Sequence, residues 1–192
     1  MLLRAPILSL WQAASSSHQA WVGALDAEPA VSAFADWLRD FRELHERARR
    51  GALSAGEDST YQANRDELAR AMLAAQRLTL KPGEKARRAL RVAKALQLDL
   101  EINGTRLRTL TLDVSVCGFS TILARPPVLG ELAKVTLRLP GSAALACLAS
   151  ITDVKHQEGS VRISAQFVDL PPADRERLEL FIIDTVLGMF AA

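Results

Sequence analysis

Apolar residues recur at helical spacing in the first part of the chain and then switch to alternation. Val31, Phe34, Trp37, Leu38, Phe41 and Leu44 form one stripe, with Asp36, Arg39, Asp40, Arg42 and Glu43 opposite it. Asp26 suits the N-cap of this helix, and Pro29 falls in its first turn, where proline is tolerated. Arg47, Arg49 and Arg50 suit its C-terminus and Gly51 its stop. Gly51 to Gly56 reads as a loop. A second helix follows, with Ser59 and Thr60 as candidate caps and Tyr61, Leu68, Met72 and Ala75 on one face. A shorter helix carrying Trp11 and Trp21 is predicted between Pro6 and Leu25. Helices joined by short loops form a hairpin or small bundle.

Pro82-Gly83 ends the helical pattern. Leu96, Leu98, Leu100 and Ile102 then alternate with polar residues, and Asn103-Gly104 predicts a hairpin turn into a strand over Thr105–Leu112. Further strands are predicted at Phe119–Leu123, around Val135–Leu139, at Ala143–Val154 and at Val161–Phe167. A last helix presents Leu178, Phe181, Ile182, Thr185, Val186 and Met189. The expected fold class is α+β, with a helical module over residues 1–80 and a six-stranded antiparallel barrel with a C-terminal helix over 81–192.

Net charge is +2 and the chain is 49% hydrophobic, which fits a globular protein with a core rather than a general polyanion binder. Aromatic residues make up only 5%, which argues against base-stacking nucleic-acid recognition. The charge is nevertheless uneven: Lys81, Lys85, Arg87, Arg88, Arg91 and Lys94 share one short window with a single acid, Glu84. The uncharged stretch from Ala5 to Leu25 is interrupted by serines, glutamines and His18, so no membrane span is expected, and its apolar run is short for a signal peptide. Cys117 and Cys147 form no CxxC pattern and fit a reducing, cytoplasmic setting. His18, His45 and His156 share no metal-ligand spacing, and no metal or catalytic set is expected. Pairing Cys117 with His156 as nucleophile and base lacks a third, orienting group.

Two short patterns stand out in the second half. Arg87-Arg88-Ala89-Leu90-Arg91 holds two arginines four residues apart, and Asp113-Val114-Ser115-Val116-Cys117-Gly118 follows the predicted hairpin as a polar turn. Taken singly, the arginines fit a solvated linker, and Asp113 and Ser115 fit an Asx or Ser turn. Together and in this order they resemble the RxxxR and DxSxxG motifs of the PilZ family, and the resemblance runs from about Lys81 to the end. It implies a small barrel and, in many members, a receptor for the bacterial second messenger cyclic di-GMP. Two positions depart from the family pattern: Cys117 stands where a second glycine is common, and Leu90 where proline or an aromatic residue is frequent.

Carried over by position, the ligand residues are Arg87, Arg88, Arg91, Asp113, Ser115 and Gly118. Arginine forks suit phosphate oxygens and guanine O6 and N7, whereas a carboxylate accepts from the guanine amino and ring N–H groups. Gly118 allows close backbone approach. The resemblance implies no enzyme activity and no cofactor beyond the nucleotide ligand. Binding is expected to draw the 81–94 segment over the barrel and so alter a surface offered to a protein partner, or to a second copy, through the N-terminal helices. The alternative is a PilZ-like interaction or oligomerisation module that does not bind the nucleotide.

Overall fold

The computed structural model describes residues 27–78 and 86–190. The helix expected between Pro6 and Leu25, the Asp26 cap, and Lys81, Glu84 and Lys85 lie outside these residues. The chain divides into two compact units, Met1–Leu90 and Arg91–Phe190.

In the first unit, α1 (Ala27–Arg49) and α2 (Ala55–Leu78) form a hairpin. Gly51 adopts the left-handed conformation (φ 64°), and Ala52 N–H reaches back to the Arg47 carbonyl, which closes α1. The cap of α2 is Ser54, not Ser59 or Thr60. Ser54 and Glu57 form a reciprocal capping box: the Glu57 carboxylate accepts from Ser54 N–H (2.9 Å) and from its hydroxyl (2.7 Å), and the Ser54 hydroxyl accepts from Glu57 N–H (3.4 Å). Ser59 and Thr60 instead lie inside the helix, where their hydroxyls donate to carbonyls four residues back. The Ser54 hydrogen bonds, reinforced by Arg47, hold the Glu57 carboxyl down at about 2. Phe34, Trp37, Phe41 and Tyr61 form a chain of ring contacts along the hairpin, the first pair stacked and the next two tilted, and Phe41, Tyr61 and Leu68 are buried. His45 is also buried and pairs with the Tyr61 hydroxyl at 2.8 Å, a structural role.

The second unit is a closed six-stranded antiparallel barrel with one added strand. Its strands are β1 (Arg91–Val92), β2 (Gln97–Ile102), β3 (Thr105–Ser115), β4 (Gly118–Leu123), β5 (Leu132–Leu137), β6 (Leu145–Gln157) and β7 (Ser160–Phe167). They run in the order β1-β3-β2-β5-β6-β7-β4, and pairing of β3 with β4 closes the ring. Inward positions follow the period of two: Leu98, Leu100, Val114, Phe119, Val135, Leu137, Ile151, Ile163 and Ala165 are buried. Asn103-Gly104 makes the β2–β3 turn with both φ angles positive. The C-terminal helix α3 (Pro172–Met189) packs against β1 and β3. Its buried side chains are Leu178, Ile182, Ile183, Val186 and Leu187. Met189 is exposed, so the face is rotated from the one expected, because Ile183 and Leu187 displace Phe181 and Thr185 from the contact.

Candidate functional site

Two irregularities in the barrel build a polar cluster on its outer face. The pairing of β3 with β4 slips between Thr111 and Asp113, which inserts Leu112 as a bulge. Thr111 therefore points inward and Asp113 outward, although they are two residues apart. Threonine hydroxyls satisfy backbone groups beside the bulge and in the β1–β2 connection. Thr121 Oγ1 donates to the Leu110 carbonyl at 2.7 Å, and Thr111 Oγ1 donates to the Lys94 carbonyl at 2.6 Å and accepts from Leu96 N–H at 3.0 Å. The second irregularity is β1, only two residues long, which adds to β3 and aligns Arg91 with Ser115.

Asp113 is the hub of this cluster, with its side chain 12% exposed. Arg91 Nη1 donates to Oδ1 at 3.1 Å, and Arg162 Nη2 donates to Oδ2 at 3.1 Å. The same Arg162 nitrogen lies 3.3 Å from the Ser120 hydroxyl. Ser120 is the cross-strand partner of Asp113 on β4 and of Ser164 on β7, so the Arg162 side chain crosses β4 from β7 to reach β3. One carboxylate is thus held by two guanidiniums arriving from opposite sides. Below it, Ser115 Oγ donates to the Gly118 carbonyl (3.2 Å) and accepts from Cys117 N–H (3.3 Å), which sets the β3–β4 turn. At Gly118 a Cβ would lie 2.0 Å from the Ala165 carbonyl oxygen of β7. Only glycine permits this approach, and Cys117, which stays exposed, does not share the constraint.

Of the residues singled out in the sequence, Arg91, Asp113, Ser115 and Gly118 converge on this face. Asp113 and Ser115 sit within β3 rather than in a turn, because β1 and β4 pair with that part of the strand from either side; the turn itself is Val116-Cys117. Arg87 and Arg88 are exposed in the segment that leads into β1. Arg162 was not identified from the sequence. The only signal was its polar place in an alternating strand, Val161, Arg162, Ile163, Ser164, which marks an outward residue but not its partner.

The outer face of β2, β3 and β5 carries a different arrangement. Asp99 pairs with Arg108 and Arg138, and Glu101 with Lys134 and Arg106. Both carboxyls are held below their usual range, Asp99 mainly by the Arg108 hydrogen bond and Glu101 mainly by that of Lys134. The bases here are more than half exposed, so this is a solvated charge ladder rather than an enclosed site.

The family model for the PilZ domain matches residues 85–184, just over half of the chain. The chain belongs to the PilZ domain family. Its barrel resembles that of the Bacillus subtilis inhibitor of motility MotI/DgrA (TM-score 0.50, 18% identity, 57% of each chain covered). It also matches YcgR from Escherichia coli, solved in complex with c-di-GMP (TM-score 0.49, 17% identity, 56% of this chain and 49% of that one). A third match is the K. pneumonia MrkH–c-di-GMP complex (TM-score 0.47, 20% identity, 55% of this chain and 54% of that one). At 18% identity the likeness to MotI/DgrA is one of fold, and the chain spans about half the length of these three proteins. A comparison with curated proteins gives no match. Both motif segments fall within the matched PilZ region. Among the described residues, no helix is long and apolar enough to cross a membrane.

Proposed function

We propose that the PilZ barrel of this chain binds cyclic di-GMP through Arg87, Arg88, Arg91, Asp113, Ser115 and Gly118, and that it works as a receptor rather than an enzyme. The observation that carries this reading is the Arg91–Asp113 contact. It joins the arginine motif to the DxSxxG motif across 22 residues of sequence, on the outward side of the barrel. Family membership supplies the nucleotide expectation, and the chemistry of the cluster agrees with it. A dianionic ligand with two guanines needs cationic forks for its phosphates and an acceptor for the base N–H groups. Arg91 and Asp113 offer both at one point, and exposed Arg87 and Arg88 stand a few residues upstream.

Calorimetric titration of the full chain with cyclic di-GMP tests the reading. Saturable binding that Arg91→Ala and Asp113→Ala both abolish supports it. No binding by folded wild-type protein would sink it.

The regulatory part of the proposal follows from connectivity. Arg87 and Arg88 belong to the segment that leads from the helical unit into the barrel. A ligand gripped by these residues and by Arg91 ties nucleotide occupancy to the path of that segment. The α1–α2 hairpin can then present a protein partner, or a second copy, with a different surface. This requires the nucleotide to favour one arrangement over another. Identical scattering profiles with and without saturating ligand, together with unchanged hydrogen exchange over residues 81–94, would refute it.

A further inference from the structure

We infer that Arg162, outside both motifs, is a specificity-determining residue of the nucleotide site, reading the O6 side of guanine beside Asp113. The inference rests on the cyclic di-GMP reading above and extends it. An ionised carboxylate offers about four lone-pair sites. Arg91 occupies one on Oδ1 and Arg162 one on Oδ2, which leaves two. Two is the number that a guanine requires for its N1–H and its N2 amino group. A base can therefore dock on Asp113 with both arginines still in place.

Along the Watson–Crick edge of guanine, the group next to N1–H is the O6 acceptor. A guanidinium fixed beside the same carboxylate is the complementary donor. Arg162 is built for this. Its Nη2 is committed to Asp113 and Ser120, and its Nε and Nη1 have no partner among the described residues. Adenine carries an amino donor where guanine has O6, so the same guanidinium would face a donor and repel it.

Stability gives little reason for this arrangement, since an ion pair whose arginine is 40% exposed contributes weakly to folding. Its geometry is nonetheless specified. The side chain runs over Ser120, which is buried beneath it although it lies on the outward side of β4. The result is an acceptor-donor pair, Asp113 and Arg162, matched to one base.

The test is competition of unlabelled cyclic di-GMP and cyclic di-AMP against a fluorescent cyclic di-GMP on the full chain, for wild type, Arg162→Ala and Arg162→Lys. The two nucleotides share sugars and phosphates and differ only in the base. Thermal melts check the fold, and the lysine variant, which keeps the stem and charge, guards against its loss. Arg162→Ala should weaken cyclic di-GMP by about tenfold or more and narrow its preference over cyclic di-AMP by a similar factor, because a site built to hydrogen-bond one group discriminates through that bond. Arg162→Lys should not restore the preference, having charge but no planar fork.

Equal weakening of both nucleotides, unchanged cyclic di-GMP affinity in Arg162→Ala, or full restoration by lysine would each overturn the inference while leaving the receptor reading in place. Where cyclic di-AMP competes too weakly to measure, the cyclic di-GMP affinity of Arg162→Lys decides: it should stay close to that of Arg162→Ala, and recovery to the wild-type value would overturn the inference. Absence of binding by wild type removes the receptor reading, and this inference with it.

Discussion

Gly118 offers the sharpest link between the stability of the barrel and its site. In Gly118→Ala the new Cβ would meet the Ala165 carbonyl oxygen at 2.0 Å, with the Ala165 carbonyl carbon and Gln166 Cα at 3.0 Å. All three are backbone atoms of the neighbouring strand, so no side chain can swing aside. Restoring an ordinary contact needs roughly 1.4 Å of separation between β4 and β7 at this point. The adjacent Phe167 N–H to Cys117 carbonyl bond, now 2.9 Å, would be stretched beyond hydrogen-bonding range. Overpacking of about 1–3 kcal/mol, plus one or two ladder bonds at about 1 kcal/mol each, gives a loss of about 2–5 kcal/mol. Gly104→Ala is the control: φ is +73° there, but nothing lies within 4 Å, so only backbone strain of about 1–2 kcal/mol applies. Urea denaturation of the two variants separates the effects. A Gly118→Ala variant no less stable than Gly104→Ala would refute the close-approach argument. Because Arg162 sits on β7 and Asp113 is positioned through β4, the same displacement should also weaken cyclic di-GMP binding under conditions where the variant remains folded.

The helical unit and the thiols supply further tests. Glu57 titrates at about 2 in the folded protein against an ordinary 4.5, so its contribution is complete above about pH 4.5 and is lost as pH falls towards 2. Acid titration followed by helical circular dichroism should show wild type losing stability in that window, and Glu57→Gln should flatten this part of the curve. Phe41→Ala removes a fully buried ring between Trp37 and Tyr61 and should cost about 3–5 kcal/mol in urea denaturation. The Cys147 thiol is pushed up to about 11 by burial, with Asp174 and Asp169 adding to the shift, while Cys117 is exposed. Alkylation at pH 8 should therefore show one fast and one slow thiol, and Cys117→Ser should delete the fast phase.

Six of the seven strands were legible because each is a short alternating or apolar run bounded by turn residues with a local cause, as at Asn103-Gly104 and Gly159. What was missed depended on rival local signals or on tertiary pairing. Ser54 and Glu57 hold the spacing of a capping box, but Gly56 between them reads as loop and hid the start of α2. Phe181 and Ile183 are equally apolar, and only the surface offered by β1 and β3 decides which of them α3 buries. Arg91–Val92 is too short to alternate and becomes a strand only because the edge of β3 is open to it.

The site divides along the same line. The convergence of Asp113, Ser115 and Gly118 is legible because they sit in one strand and its turn, and that of Arg91 because its motif precedes them in order. Arg162 comes from β7, 49 residues beyond Asp113, and nothing local marks it as a partner. Three non-local facts bring it there. Closure of the barrel places β4 between β3 and β7, the Leu112 bulge turns Asp113 outward, and the Ser120–Ser164 pairing aligns the two strands. Without the bulge, Asp113 would share the inward side with Thr111, and neither arginine could reach it. The motif therefore names the acid, but the closed barrel decides which arginine of β7 reaches it and, on the reading proposed above, which base the pair would select. That makes the β4–β7 register, rather than further motif residues, the feature to compare when asking which barrels of this family discriminate between purines.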